Sequence, residues 1–167
     1  DGAGILMQMP HAFFTQACSA AGISLPGPKE YGAGMIFLPH NAGERKNCEE
    51  AFERFVAEEG QRFLGWRTVP TDNASLGATA KAGEPFMRQA FIARNPKLAD
   101  DTAFERKLYV IRKRAENAIR YSGIKGGHHF YIPSLSYKTF IFKGMLLTEQ
   151  IEKYYPDLSD PAMETAL

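Results

Sequence analysis

The stretch His129–Met145 (HFYIPSLSYKTFIFKGM) constrains this chain more than any other. Aromatic and β-branched residues dominate it, and alternation breaks only at Pro133 and around Tyr137-Lys138. The pattern predicts two strands joined by a tight turn. In the first, Phe130, Ile132 and Ser134 face one way, with Tyr131 and Leu135 nearer the other. In the second, Phe140 and Phe142 oppose Ile141 and Lys143. Strands that are apolar on both faces belong inside a covered sheet. A long helical pattern precedes the hairpin (Thr102–Arg120) and a shorter one follows it (Leu147–Tyr155). This is an architecture, and it names no reaction.

The chain's 167 residues suffice for one domain with a real core, or one domain carrying a subdomain. A net charge of +1 gives no electrostatic case for nucleic acid or an anionic membrane as a main partner. Apolar runs are far too short to span a bilayer. The opening DGAGILMQMPH has no basic n-region of a signal peptide and no initiator Met, so a processed or excised piece is expected. Two cysteines, Cys18 and Cys48, are too few for a disulfide framework and fit a reducing, cytoplasmic setting. Each lies in a helix-like stretch and reads as a small buried hydrophobe.

Taken in order, Asp1–Met9 reads as a glycine-entered strand and His11–Ala21 as a helix with Phe14, Ala17, Cys18 and Ala21 in one stripe. Gly22 suits the position just past its end. Tyr31–Pro39 is a second glycine-entered strand. Its Gly32-Ala-Gly34 is no nucleotide fingerprint, because Phe37 stands at the third glycine and a strand follows where a helix should. The glycines read instead as places of close packing. Asn41–Glu59 is a helix with Cys48, Phe52, Phe55 and Val56 inward, and Glu49, Glu50, Glu53 and Glu58 toward water. Arg62–Pro70 is a strand holding the single Trp, Thr71–Gly83 a loop, and Glu84–Arg94 a strand. Thr102 is placed to cap the long helix, whose Phe104, Leu108, Ile111, Ala115, Ala118 and Ile119 recur at helical spacing. Arg106, Lys107, Arg112, Lys113 and Arg114 read as a solvated or interface face rather than an anion site. Neighbouring His128 and His129 on a strand would point to opposite sides, which argues against a shared metal.

From Tyr31 to Leu135 the order is strand, helix, strand, strand, helix, strand, the split βαβ of ferredoxin-like folds. The outer pieces, Asp1–Gly22 and Thr139–Leu167, then belong to a different sheet layer. The expected class is α+β, a two-layer insert seated in a larger sandwich.

Several strings in succession carry a resemblance: DGAGILMQMPHAFF, YGAGMIFLP, LGWRTVP, FERKLYVIRK and SLSYKTFIFKGML, then Tyr154-Tyr155-Pro-Asp157-Leu158. In this order and spacing they resemble the N-terminal glutamine amidotransferase domain of the glutamate synthase large subunit, over nearly the whole chain. The resemblance implies part of a class II, N-terminal-nucleophile αββα sandwich (residues 1–167), carrying the ferredoxin-like insert (residues 31–135). It implies hydrolysis of glutamine to glutamate and ammonia, with the ammonia used for reductive amination of 2-oxoglutarate. FMN and a 3Fe-4S cluster would sit in later domains and none in this segment. The implied partners are the remaining domains of the same polypeptide and a small NADPH-oxidising subunit or ferredoxin.

In such a site the nucleophile is an N-terminal cysteine whose own α-amine, titrating near ~8, takes the thiol proton. An Asn side chain and a Gly N–H form the oxyanion hole, and an Arg holds the glutamine carboxylate. None of these matches a position here, so no catalytic residue is assigned. Residue 1 is Asp, and neither Cys18 nor Cys48 fits the nucleophile's motif. Lys138 stands where many relatives have Arg in the hairpin turn and receives no catalytic role. Asp1 and Gly2 are the only site candidates, as residues shaping the pocket; a strand-entry turn explains them as well. A rival reading is a free-standing ferredoxin-like module that binds a small molecule and regulates. The flanking coding sequence separates the two: a Cys-Gly start upstream and an Arg…Asn-Gly block downstream would mark the enzyme.

Overall fold

A computed structural model describes residues 2–164. Strand β1 (Ala3–Gln8) leads through Pro10 into helix α1 (His11–Ala20). Gly22, at φ 75°, closes that helix, and the Ile23 amide turns back to the Cys18 carbonyl at 2.8 Å. Next come β2 (Tyr31–Leu38), α2 (Ala42–Glu58), β3 (Arg62–Thr68), α3 (Ala78–Ala82), β4 (Phe86–Ala93) and α4 (Asp101–Tyr121). Strand β5 (Thr139–Gly144) and short helix α5 (Ile151–Tyr154) complete the regular elements among the described residues.

The strands form two sheets. In one, β4 lies between β2 and β3, antiparallel to both. In the other, β1 and β5 pair antiparallel from Ala3↔Gly144 to Gln8↔Thr139. The outer pieces of the chain thus meet in a layer of their own, as expected from their position around the central run. Alternation along β2 divides two cores. Ile36 and Leu38 point to α2 and α4, packing with Phe52, Val56, Phe104 and Leu108. Tyr31, Ala33 and Met35 point the other way, to Phe14 of α1, Phe140 and Phe142 of β5, and Tyr155. The glycines of β2 are spacers: a Cβ on Gly32 would lie 2.5 Å from Leu108 Cδ1, and one on Gly34 would strike the Ser134 carbonyl.

Helix α4 has the expected phase, with Phe104, Leu108, Ile111, Ala115 and Ile119 buried. Its cap is Asp100 rather than Thr102; the Asp100 carboxylate accepts the Ala103 amide at 2.7 Å. The basic face is only partly solvated. Lys107 and Arg114 both reach Glu59 at the end of α2, at 2.9 and 2.8 Å, and hold its carboxyl below the usual range. Likewise Glu49 and Glu53 do not face open water: Glu49 accepts from Arg88 at 2.8 Å and Glu53 from the Trp66 indole at 2.7 Å. The stretch Thr71–Gly83 is not all loop, since α3 lies within it, and Ala21 is exposed rather than part of its helix's stripe.

The predicted hairpin is the main departure. Its second half is β5, but β5 pairs with β1 and not with the residues before it. Residues 127–129 are a turn of 3-10 helix, and 130–138 contact β2 only through isolated bridges at Tyr131↔Phe37 and Ser136↔Ala33. The cause is local. Pro133 has no N–H to give a ladder. The Ser136 hydroxyl accepts the Lys138 and Thr139 amides at 2.9 and 3.3 Å, folding the chain there. The Glu105 carboxylate of α4 takes the Ser136 hydroxyl at 2.6 Å and the Tyr137 amide at 3.1 Å. Groups that a hairpin partner would need are therefore already bonded.

Candidate functional site

Charged and aromatic side chains converge in one cleft of about 950 Å³. Its floor is apolar, with Phe37, Met87 and Leu146. One wall is the start of α2. Asn41 caps that helix by accepting the Glu44 amide at 3.0 Å, and the Glu44 carboxylate lies 3.5 Å from the Lys125 ammonium. A second wall is the segment around α3, tied down by Asp72 N–H to the Tyr154 carbonyl at 2.8 Å and by Gln150 to the Ser75 carbonyl at 2.8 Å. The third is the end of β5 with α5.

Glu84 organises the second wall. Its carboxylate accepts the Tyr154 hydroxyl and the Asn73 amide, both at 2.8 Å. Its backbone carbonyl lies 2.5 Å from His40 Nε2, so that nitrogen carries the proton. Burial, and then Glu84, push the Tyr154 hydroxyl well above the ordinary phenol range. Burial does the same to Tyr155, whose hydroxyl donates to the Lys143 carbonyl at 2.8 Å. Both tyrosines are thus fixed donors rather than bases. Across the cleft, Lys143 Nζ lies 3.5 Å from the Tyr131 hydroxyl, and Arg120 donates to the Phe130 carbonyl at 2.8 Å.

Of the pocket-shaping candidates, Asp1 lies outside the described residues. Gly2 backs directly on β5: a Cβ there would collide with the Gly144 carbonyl, and Gly144 lines the cleft. Cys18 and Cys48 are buried in different cores, on opposite faces of the central sheet. Burial pushes their thiols up to about 12 and about 11, which keeps both protonated and non-nucleophilic at neutral pH. Lys138 is exposed, its ammonium 5.5 Å from the centre of the Tyr137 ring. His128 and His129 sit on the 3-10 turn and not on a strand, so their rings adjoin, 3.9 Å apart, where opposite directions were expected. No group of three or more metal-ligating side chains exists among the described residues.

Sequence reasoning missed the cleft itself. Its members include His40, Glu84, Lys143 and Tyr154, far apart in the chain. Phenylalanines such as Phe52 and Phe104 were legible as core, but nothing in the spacing of the aromatic residues told which would border a cavity.

The model of the family described as class-II glutamine amidotransferases matches residues 1–167. The chain is 45% identical over 166 residues to the NADPH glutamate synthase large chain of Bacillus subtilis (strain 168), covering 99% of this chain and 10% of that protein. It is 33% identical over 162 residues to the chloroplastic ferredoxin-dependent glutamate synthase 2 of Arabidopsis thaliana, covering 96% of this chain and 10% of that protein. To the NADH glutamate synthase of Saccharomyces cerevisiae it is 33% identical over 170 residues, covering 96% and 8%. The chain spans about a tenth of the length of these relatives.

Proposed function

The chain belongs to the class-II glutamine amidotransferases, and from that premise we propose that it serves as part of the glutaminase domain of a glutamate synthase. That domain releases ammonia from glutamine, and the ammonia goes on to the reductive amination of 2-oxoglutarate. The match over all 167 residues carries this reading. The work of these residues is to hold the sheets against which the catalytic groups stand. The nucleophile is an N-terminal cysteine outside them. In support, both thiols of this chain are buried and held protonated, so neither offers a thiolate to glutamine.

Residues 31–135 are the proposed ferredoxin-like insert of an αββα sandwich. Support comes from the spatial order of the strands, with the bridged segment 131–136 beside β2, then β4, then β3. The β1–β5 pair would supply sandwich strands. A regulatory small-molecule module has less behind it, since the family match extends over the outer pieces as well.

FMN and the iron–sulfur cluster are assigned to other parts of the longer polypeptide. The described residues do not fit either group. A cluster needs several thiolates together, whereas Cys18 and Cys48 lie in separate cores. The cleft's helix start has its Glu44 N–H taken by Asn41 and a carboxylate beside it, which disfavours a flavin phosphate. A cytoplasmic location and a partner subunit or ferredoxin as electron donor belong to the same proposal; among the described residues, no helix is long and apolar enough to cross a membrane.

Ammonia release from glutamine tests the reading. Residues 1–167 alone should release none, and the full-length polypeptide should. Changing the N-terminal Cys to Ser in the full-length protein should abolish release, while Cys18→Ala and Cys48→Ala should not. Comparable release by residues 1–167, or equal loss from the buried cysteines, would overturn it.

A further inference from the structure

Inward-facing cations in this chain have carboxylate partners almost throughout. Arg67 meets Asp157 at 2.7 Å, Arg88 meets Glu49 at 2.8 Å, and Arg94 meets Asp101 at 2.6 Å. Among the described residues Lys143 has none, and half-buried Arg45 donates only to the Pro39 and His40 carbonyls; Lys143 is the one of these two that lines the cleft. Its side chain is half-buried in the cleft wall, yet among the described residues its ammonium meets no carboxylate, only the Tyr131 hydroxyl at 3.5 Å and the Tyr131 ring at 5.5 Å. Arg120, itself exposed, borders the cleft beside Tyr131, and its one partner among the described residues is the neutral Phe130 carbonyl. The carboxylates of the cleft are engaged elsewhere, Glu44 with Lys125 and Glu84 with Tyr154 and Asn73.

A partly desolvated ammonium without a counter-ion is unfavourable, and an arriving anion removes that penalty. The floor of the cleft is apolar, and its volume of about 950 Å³ is within the usual range for organic ligands. We infer that this cleft binds a carboxylate with an apolar body, its head group on Lys143 and Arg120 and its body toward Met87 and Leu146. A phosphate or sulfate alone would leave the apolar floor unfilled, and an uncharged hydrocarbon would leave the two cations unmatched. The inference concerns binding alone.

Octanoate is the probe, octanol its uncharged counterpart, and equilibrium dialysis of labelled ligand against the full-length protein the measurement. Octanoate should bind saturably. Lys143→Gln and Arg120→Gln should each weaken it roughly tenfold, the size expected for one charge-assisted hydrogen bond. Octanol binding should stay unchanged in both variants, which reports that the apolar cleft is intact. Absence of saturable octanoate binding would overturn the inference. So would equal octanoate affinity in wild type and both variants, or an octanol loss as large as the octanoate loss.

Discussion

The two sides of the central sheet are built from the same kind of residue and end in different conditions. On the helix side, α2 and α4 close over Ile36, Leu38, Ala90 and Ile92, and Lys107 and Arg114 seal the rim by ion pairs to α2. On the other side, the β1–β5 pair and α1 close over Met35 and Phe91 equally well. The covering layer itself differs. Helices need one apolar face and present a charged one to water. A two-stranded sheet has an inner and an outer face, and here the outer one stays apolar: Leu6 is 57% exposed, and Met145 just past β5 is 85% exposed. Strand β1 carries no charged residue and no proline to blunt its free edge. The helix side thus carries ion pairs at its rim where the outer face of the β1–β5 pair carries exposed apolar side chains.

The largest test of this contrast is Leu108→Asp. It places an unpaired carboxylate in the helix-side core, against Gly32, and should cost about 4 kcal/mol or more in denaturant unfolding. A loss under 1 kcal/mol would mean that the helix side yields far more than its burial implies.

The Arg67–Asp157 pair comes next, because it ties β3 to the segment after α5. The guanidinium donates to both carboxylate oxygens at 2.7 and 2.9 Å and also to Gln89 at 2.8 Å, with both side chains largely buried. Asp157→Ala strands a buried cation and should cost about 3 kcal/mol. The double change Arg67→Met with Asp157→Leu should recover most of that loss, and a double-mutant cycle in urea checks it. Equal losses in both would show that packing rather than charge holds the join.

The smallest expected change in stability is at the open layer. Leu6→Lys should alter unfolding free energy by no more than about 0.5 kcal/mol, since the side chain is already in water. Residues 1–167 by themselves should associate through the β1 edge and the apolar outer face, and the lysine should reduce that association by light scattering. A monomeric, cooperatively melting wild-type chain at high concentration would erase the contrast.

Legibility in the sequence followed locality. Helix α4 was readable because Phe104 through Ile119 repeat at helical spacing and their burial needs no further information. Gly22 marked a helix end because a positive φ is a local demand that the residue itself satisfies. The hairpin misled for the converse reason. Phe140 and Phe142 do alternate as a strand, but which strand they join is decided by β1, more than a hundred residues earlier, and by Glu105 claiming Ser136 and Tyr137. The cleft was invisible on the same ground. Lys143 looked like one outward residue of a strand, and its lack of a counter-charge emerges only when three remote segments close around it.

In β3 the register slips between Phe63 and Gly65, leaving Leu64 as an extra residue. A strict alternation would send Phe63 and Trp66 to opposite sides. The slip sends both to the helix side, their rings 5.1 Å apart and each near Phe52, and turns Arg67 to the other side, toward Gln89 and Asp157. One inserted residue therefore acts as a phase shifter. It lets a single short strand supply aromatic filling to one core and a cation to the opposite one. Deleting Leu64 would leave Phe63 opposite Ile92 and Gly65 opposite Phe91 with no extra residue between them, so Trp66 and Arg67 would keep their present sides. The bulge thus lets the strand carry one residue more than its partner without turning Trp66 out of the helix-side core.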